Sequence, residues 1–229
     1  QFILTGSAVP KDITDDENLK EEEKRMHSGV GRIAPMRMRT MSLWESKESN
    51  GKVSLASLFE GDADVAAISD LTIEGLAYAT CRGGWPASTK LKEKAALRVA
   101  RNYVEEVINY DVHRVDGVDK NTTRVRKLLE SYARNISTMA ANETIMADVR
   151  ATDQTISPNT FAIYLSALRR IFIVDDVPAW SPALRSKTKI RTSPKRHFVD
   201  PSIAAALMGT NPQGLLKDFP TFGFLFEDL

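Results

Sequence analysis

The sequence predicts a fold that is mainly α-helical with a small amount of β structure. Apolar residues recur at helical spacing in most segments after residue 50, which indicates amphipathic helices. Residues 142–177 have the order helix, turn, helix and strand, and residues 195–199 are predicted to form a returning strand. This order is typical of a winged helix-turn-helix, so we expect one within the helical region.

The composition limits the class of protein. Of the 229 residues, 42% are hydrophobic and 27% are charged, as in ordinary globular proteins, and the formal net charge is +1. A net charge near zero argues against a general nucleic-acid coat and leaves only local basic patches. The single cysteine, Cys81, excludes an internal disulfide framework and predicts a cytoplasmic protein. No apolar run in the sequence approaches the length of a membrane span, so we expect no membrane partner.

The first residues have a strand-like pattern. Residues 2–5 are predicted to form a short buried strand, and residues 11–24 are so rich in charge that they predict a solvated loop. In residues 33–41, Met36 and Met38 alternate with arginines, which predicts a strand with one buried face. A short strand needs other strands to pair with, so we interpret the chain as a piece of a longer protein.

Helices with recognisable first residues follow. Ser54 is predicted to cap a helix that ends at Phe59, and Thr72 a helix over residues 73–82. Residues 91–110 are predicted to form one long helix, and Thr122 or Thr123 to cap the next one. The predicted buried face of that next helix consists of Val125, Leu128, Leu129, Tyr132, Ile136 and Met139.

The predicted helix-turn-helix begins at Asn142, which we expect to cap a helix through Val149. Ser157 is a good N-cap for the second helix, because Pro158 suits the first helical position. Residues 171–174 are β-branched and apolar and predict the first strand of the wing. The predicted buried face of the second helix consists of Phe161, Tyr164, Leu165, Leu168 and Phe172.

Five motifs occur in order along the chain, at residues 2–8, 27–32, 37–43, 82–86 and 193–201. Together they resemble the prokaryotic AAA-type ATPases, in which a P-loop domain precedes a helical and winged-helix region. A nuclease-like C-terminal domain of unknown function completes those proteins. The resemblance implies that ATP and Mg²⁺ are cofactors of the full-length protein only. It also implies that this chain contacts the missing N-terminal ATPase portion and the C-terminal domain. It is compatible with an oligomer.

The resemblance also implies four segments. Residues 1–50 are predicted to be the end of an α/β P-loop ATPase domain, and residues 51–120 a helical region. Residues 121–200 are predicted to be the winged helix-turn-helix. Residues 201–229 begin a C-terminal domain, at a helix that Asp200 and Pro201 start.

The sequence lacks the phosphate-binding loop that ATP hydrolysis needs. The nearest match, residues 50–53, has neither the first glycine nor the hydroxyl residue after lysine, so this chain alone is predicted not to bind ATP. The resemblance implies that Thr5 or Ser7 senses the γ-phosphate or orients the attacking water. It also implies that Arg32 stabilises the transferring phosphoryl group, within its own subunit or across an interface. The alternative is that Thr5 and Ser7 close a turn and Arg32 is a surface cation.

The predicted winged helix offers a candidate DNA-binding surface. Asn159, Ser166 and Arg169 lie on the predicted outer face of its second helix, where a major groove would meet them. The wing would contact phosphates through Arg185, Lys187, Lys189, Arg191, Lys195 and Arg196. Two alternatives to a fragment of an ATPase stay open: a DNA-binding module without ATPase activity, and an interaction scaffold. The three histidines lack metal-ligand spacing, so we predict no metal site.

Overall fold

The computed structural model describes residues 36–61, 66–115, 118–183 and 185–229, without the side chain of Lys189. The chain divides into two compact units, Gln1–Arg39 and Thr40–Leu229. We call the second one the helical unit. The predicted strand at residues 2–5 and the charged loop at residues 11–24 lie outside the described residues.

The described residues are mainly helical, as predicted, and the helices follow one another with short connections. The helices are α1 (Leu55–Phe59), α2 (Ile73–Arg82), α3 (Glu93–Glu106), α4 (Thr122–Arg134), α5 (Asn142–Arg150), α6 (Pro158–Arg170), α7 (Thr188–Arg191), α8 (Pro201–Leu207), α9 (Pro212–Leu215) and α10 (Phe219–Glu227). The predicted long helix at residues 91–110 begins at Glu93, and α3 continues without a break into a π-helical turn at Val107–Asp111 and a last α-helical turn at Val112–Arg114.

Side-chain caps set most helix starts. Ser54, Thr72 and Ser157 each accept a hydrogen bond from a backbone N–H in the first turn, as predicted. Two predicted caps are wrong. Asn121 caps α4 in place of either threonine, and Asn142 is the first residue of α5 and not its cap.

The core lies where α8 packs against α2, α3 and α4, while α4 also packs against α5. Leu128 and Leu129 of α4 and Leu168 of α6 are completely buried, as their helical spacing predicted. Met139 and Phe172 were predicted to be buried but are exposed. Phe172 follows the end of α6 and has a positive φ of 61°, so the chain turns and the residue leaves the buried face. The predicted segment boundaries stay a prediction, since no observation here tests them.

Two antiparallel bridges close a hairpin in place of the predicted wing strands. Val174 is opposite Phe198 and Val177 is opposite Lys195, and both bridges are isolated, so regular strands at residues 171–174 and 195–199 are not formed. The backbone of Arg196, between the two bridges, pairs with a different segment. Its carbonyl accepts from the N–H of Ser137, and its N–H donates to the carbonyl of Thr138. The predicted strand at residues 33–41 is also wrong for its described part, since residues 36–41 form no strand.

Candidate functional site

The candidate site begins with the loop that the two bridges enclose, residues 178–194, which we call the basic loop. Arg185, Lys187 and Arg191 are exposed in it, and none of the three pairs with a carboxylate among the described residues. Residues 177–199 contain no Asp or Glu, so the loop has no acidic residue of its own to neutralise it. Lys189 belongs to α7 in the same loop, and its side chain is outside the description.

The last two predicted phosphate contacts lie at the base of the hairpin and have other partners. The ammonium of Lys195 lies 2.8 Å from Oε1 of Glu227. Arg196 is only 1% exposed, and its guanidinium donates to the carbonyl of Ala140 at 2.8 Å and to Oδ1 of Asn142 at 2.9 Å. A buried guanidinium that is already hydrogen-bonded is not accessible to a DNA phosphate. The structure therefore does not fit the predicted role of Arg196.

Asp176 is the centre of this buried network. One of its oxygens accepts from Arg196 at 3.0 Å and from Arg169 at 2.7 Å, while the other accepts from the hydroxyl of Tyr132. Burial and the Asp176 carboxylate raise the pKa of Tyr132, so its hydroxyl keeps its proton and donates it. The network ties the end of α6 and the base of the hairpin to α4. It also occupies Arg169, which was predicted to face a groove.

Helix α6 presents its outer face to solvent, as predicted, and a second ion pair fixes the turn before it. Asn159 and Ser166 are exposed on that face. In the turn, the guanidinium of Arg124 contacts Asp153 at 2.5 Å and Thr155 at 2.7 Å. Hydrogen bonds from Arg124 and Thr155 lower the pKa of Asp153 to about 2, so this pair stays charged at physiological pH. The exposed face of α6 is thereby held in a fixed orientation beside α4.

A second feature is the contact that Thr40 and Met41 make with Val199 and with Gly84, which follows α2. We call this contact the joint. The backbone N–H of Met41 donates to the carbonyl of Gly84 at 2.7 Å, and Oγ1 of Thr40 donates to the carbonyl of Val199 at 3.3 Å. The N–H of Gly84 donates to Oδ2 of the buried Asp200 at 2.8 Å. Three of the five resemblance motifs thus meet at one place.

The glycines are necessary for this close approach. Gly83 has φ +73°, and a Cβ there would lie 2.7 Å from Nε1 of Trp85 and still closer to Asp200 and Ser202. A Cβ on Gly84 would lie 2.8 Å from the nitrogen of Met41. The indole N–H of Trp85 donates to Oγ of Ser202 at 2.9 Å and completes the contact.

Other predicted residues are placed as follows. Arg32, Thr5 and Ser7 lie outside the described residues, so the structure adds nothing on them. Among the described residues no group of three side chains is arranged to hold a metal ion. None of the described helices is long and apolar enough to cross a membrane.

The sequence analysis missed a buried pair near the hairpin. Nδ1 of His197 lies 2.5 Å from Oδ1 of Asp228. Burial raises the pKa of the Asp228 carboxyl to about 6. The two residues belong to different segments and share no spacing, so no local signal marks them as partners.

Comparison with known proteins gave a single family. The family described as Domain of unknown function (DUF8612) matches residues 73–214, from the start of α2 to α9. No curated protein and no solved structure matched the chain. The matched residues include the basic loop, Arg196, Asp176 and the Gly84–Asp200 contact, and they cover more than half of the chain. The chain therefore belongs to the DUF8612 family.

Proposed function

We propose that the helical unit is a winged-helix module that binds the backbone of duplex DNA through the basic loop. The observation that carries this proposal is the contrast between the cations of the hairpin. Lys195 and Arg196 at its base have carboxylate partners, whereas Arg185, Lys187 and Arg191 are exposed without one among the described residues. Unpaired cations in an exposed loop are available to neutralise phosphates.

The order of elements supports the winged-helix part of this proposal. Helix α5, a fixed turn, α6 and a hairpin closed by two antiparallel bridges follow one another, as in winged helix-turn-helix domains. The exposed positions of α6 include Ala162 and Ile163, which make few hydrogen bonds to base edges. We therefore expect binding that depends little on sequence, with a dissociation constant no tighter than about micromolar at physiological salt.

Fluorescence anisotropy with a labelled duplex at two salt concentrations tests the proposal. Changing Lys187, Lys189 and Arg191 together to Ala should weaken binding and flatten the salt slope by up to about three, because each phosphate contact contributes about −0.9. The matched control changes Lys52, Lys90 and Lys217 to Ala. These lysines are exposed and lie outside the loop, so the control removes the same amount of positive charge from elsewhere on the chain. Equal losses in both variants would show general charge attraction and would contradict a specific role of the loop.

A protein-binding role is the second candidate, and two side chains of the same loop favour it. Trp180 is 76% exposed and Ile190 is 88% exposed, and large exposed apolar side chains are typical anchors of protein interfaces. If the wild-type chain gives no anisotropy change even at low salt, we would assign the loop to a protein partner. Loss of partner capture in a Trp180→Ser and Ile190→Ser variant would then be the matching test.

We further propose that a longer protein containing this chain is an ATPase that binds ATP and Mg²⁺, and that the joint transmits nucleotide state to the hairpin. The support is the motif resemblance, together with the contact of Thr40 with Val199 beside the hairpin and the contact of Met41 with Gly84. In a protein extended to include the phosphate-binding loop, duplex affinity should differ between ATP-bound and ADP-bound states. Gly84→Ala should reduce that difference, because it displaces Met41.

The catalytic part of this proposal has its own test in the extended protein. Arg32→Ala should lower the turnover of ATP far more than it weakens ATP binding, because a positive charge at that position would act mainly on the transition state. Thr5→Ala and Ser7→Ala provide the comparison for γ-phosphate sensing. Unchanged turnover in the Arg32 variant would make it a surface cation and leave the DNA-binding proposal unaffected.

A further inference from the structure

A cleft with a basic rim lies in the helical unit, between α3 and the segment from α8 to α9. Its volume is about 230 Å³. Lys94, Arg98 and Arg101 line it from consecutive turns of α3, so their side chains leave the same face of that helix. Thr210 and Asn211 line the opposite side.

The three cations of the cleft have no carboxylate partner among the described residues, and no acidic residue lines the cleft. Cations on the neighbouring helices differ from them. Arg126 lies 2.6 Å from Glu105, and Arg134 lies 2.7 Å from Asp148. Like charges at helical spacing repel one another, so grouping three cations around one cleft destabilises the empty state. Binding of an anion would remove that repulsion.

The cleft combines a fixed cation with an apolar floor. Nη2 of Arg101 donates to the carbonyl of Thr210 at 3.3 Å, which holds this guanidinium at the rim. Ala100 and Cys81 are buried at the floor, and burial raises the pKa of the Cys81 thiol to about 12, so the thiol stays neutral there. The floor therefore adds no negative charge to compete with an anion.

We propose that this cleft binds the phosphoryl group of a small ligand. Arg98 has the planar fork that contacts two phosphate oxygens at once, and Lys94 adds a compact point charge beside it. The volume is below the range of about 300–1,000 Å³ that whole drug-sized ligands occupy, so the cleft fits a phosphate or diphosphate group. A free diphosphate and the phosphates of a nucleotide supply the same chemistry.

Isothermal titration calorimetry on the full chain tests this proposal, with inorganic diphosphate as the probe. The wild-type chain should give saturable binding in the millimolar range or tighter. The double variant Lys94→Gln, Arg98→Gln should lose about tenfold or more in affinity. The control variant Lys90→Gln, Lys92→Gln removes the same charge from exposed positions that do not line the cleft, and it should bind within about twofold of wild type.

Two further titrations identify the source of the phosphoryl group. A nucleoside diphosphate that binds more tightly than diphosphate, and that loses affinity in the same double variant, would assign the cleft to nucleotides. Equal affinity for both probes would assign it to the phosphoryl group alone. No saturable diphosphate binding, an equal loss in both variants, or displacement of diphosphate by duplex DNA would overturn the proposal. None of these results depends on the basic loop, whose own variants leave the cleft unchanged.

Discussion

Replacement of Gly84 by Ala should separate the first residues of the helical unit from the rest of it. A Cβ on Gly84 would lie 2.8 Å from the nitrogen and 2.9 Å from the carbonyl carbon of Met41, and closer still to its oxygen. Real Cβ atoms essentially never approach other atoms closer than 3.0 Å, so either Met41 or Gly84 must move. Met41 is part of an irregular, half-buried segment, whereas Gly84 is buried against Asp200. We therefore expect Met41 to move.

The structure sets the size of the effect. Displacement of Met41 breaks its 2.7 Å hydrogen bond to the Gly84 carbonyl, which contributes about 0.5–1.5 kcal/mol. If the segment resists instead and the hydrogen bond is kept, overpacking costs about 1–3 kcal/mol. Gly84→Ala should thus cost about 0.5–3 kcal/mol. Gly83→Ala should cost more, because it adds strain at φ +73° and its Cβ meets the buried side chains of Asp200 and Ser202.

Urea denaturation and amide hydrogen exchange together check this reasoning. Gly223 is the matched control, because no atom lies within 4 Å of a Cβ there and the residue is exposed in α10. Gly223→Ala should leave the chain unchanged or stabilise it by up to about 1 kcal/mol. The amide of Met41 should lose protection in Gly84→Ala while the core amides of α4 keep theirs. If Gly84→Ala matched Gly223→Ala in stability, or kept the Met41 amide protected, the joint would not exist as described.

Three further predictions concern the core and its charges. Leu168→Ala should cost about 2–5 kcal/mol in chemical denaturation and Ser166→Ala well under about 1 kcal/mol, since the first is buried and the second exposed on the same helix; equal costs would contradict the orientation of α6. Arg196→Met should cost about 3 kcal/mol by the same measurement, because it leaves the Asp176 carboxylate short of one partner; a cost near zero would contradict the buried network. Burial raises the pKa of Asp228 from 3.8 to about 6, so the unfolded chain releases this proton first and stability should fall as pH rises through that interval. Asp228→Asn should remove up to about 3 kcal/mol of this fall. A pH profile of stability that is the same in the variant and the wild type would contradict the burial of this carboxyl.

Local chemistry explains why the sequence predicted so many of the helices. Ser54, Thr72, Ser157 and Asp200 each accept a hydrogen bond within their own first turn, so their role depends on no distant residue. The prediction of Thr122 or Thr123 as a cap was wrong because a better cap precedes them. The side chain of Asn121 accepts from the backbone N–H of Arg124 at 3.0 Å, and the helix therefore starts one or two residues earlier than predicted.

The apolar pattern predicted burial only as far as the helices extend. Phe172 has the spacing of the buried face of α6, but α6 ends at Arg170, and a positive φ at Phe172 turns the side chain outward. Helical spacing carries no information beyond the last helical residue. Regular wing strands were expected for a similar reason, since β-branched residues fit a strand even where long-range pairing is limited to isolated bridges.

The charges of the hairpin were the least predictable feature, because a sequence counts cations and does not show their partners. Arg191 and Arg196 carry the same side chain and are five residues apart, yet the first is exposed and the second buried. The difference arises from Asp176, Tyr132 and Asn142, which come from three distant segments. Sequence reasoning therefore assigned both arginines to the same phosphate-binding role.

The positions of the buried arginine and the joint suggest how the two proposals would be connected. Arg196, which holds the base of the basic loop, is three residues before Val199, whose carbonyl accepts the hydrogen bond from Thr40. A displacement of Thr40 and Met41 would thus reach the hairpin base through a few residues of backbone. A double-mutant cycle in the extended protein, combining Gly84→Ala with the triple loop variant, measures the coupling between the joint and the loop. If the effects of the two changes on the nucleotide dependence of DNA affinity were additive, the joint and the loop would act independently.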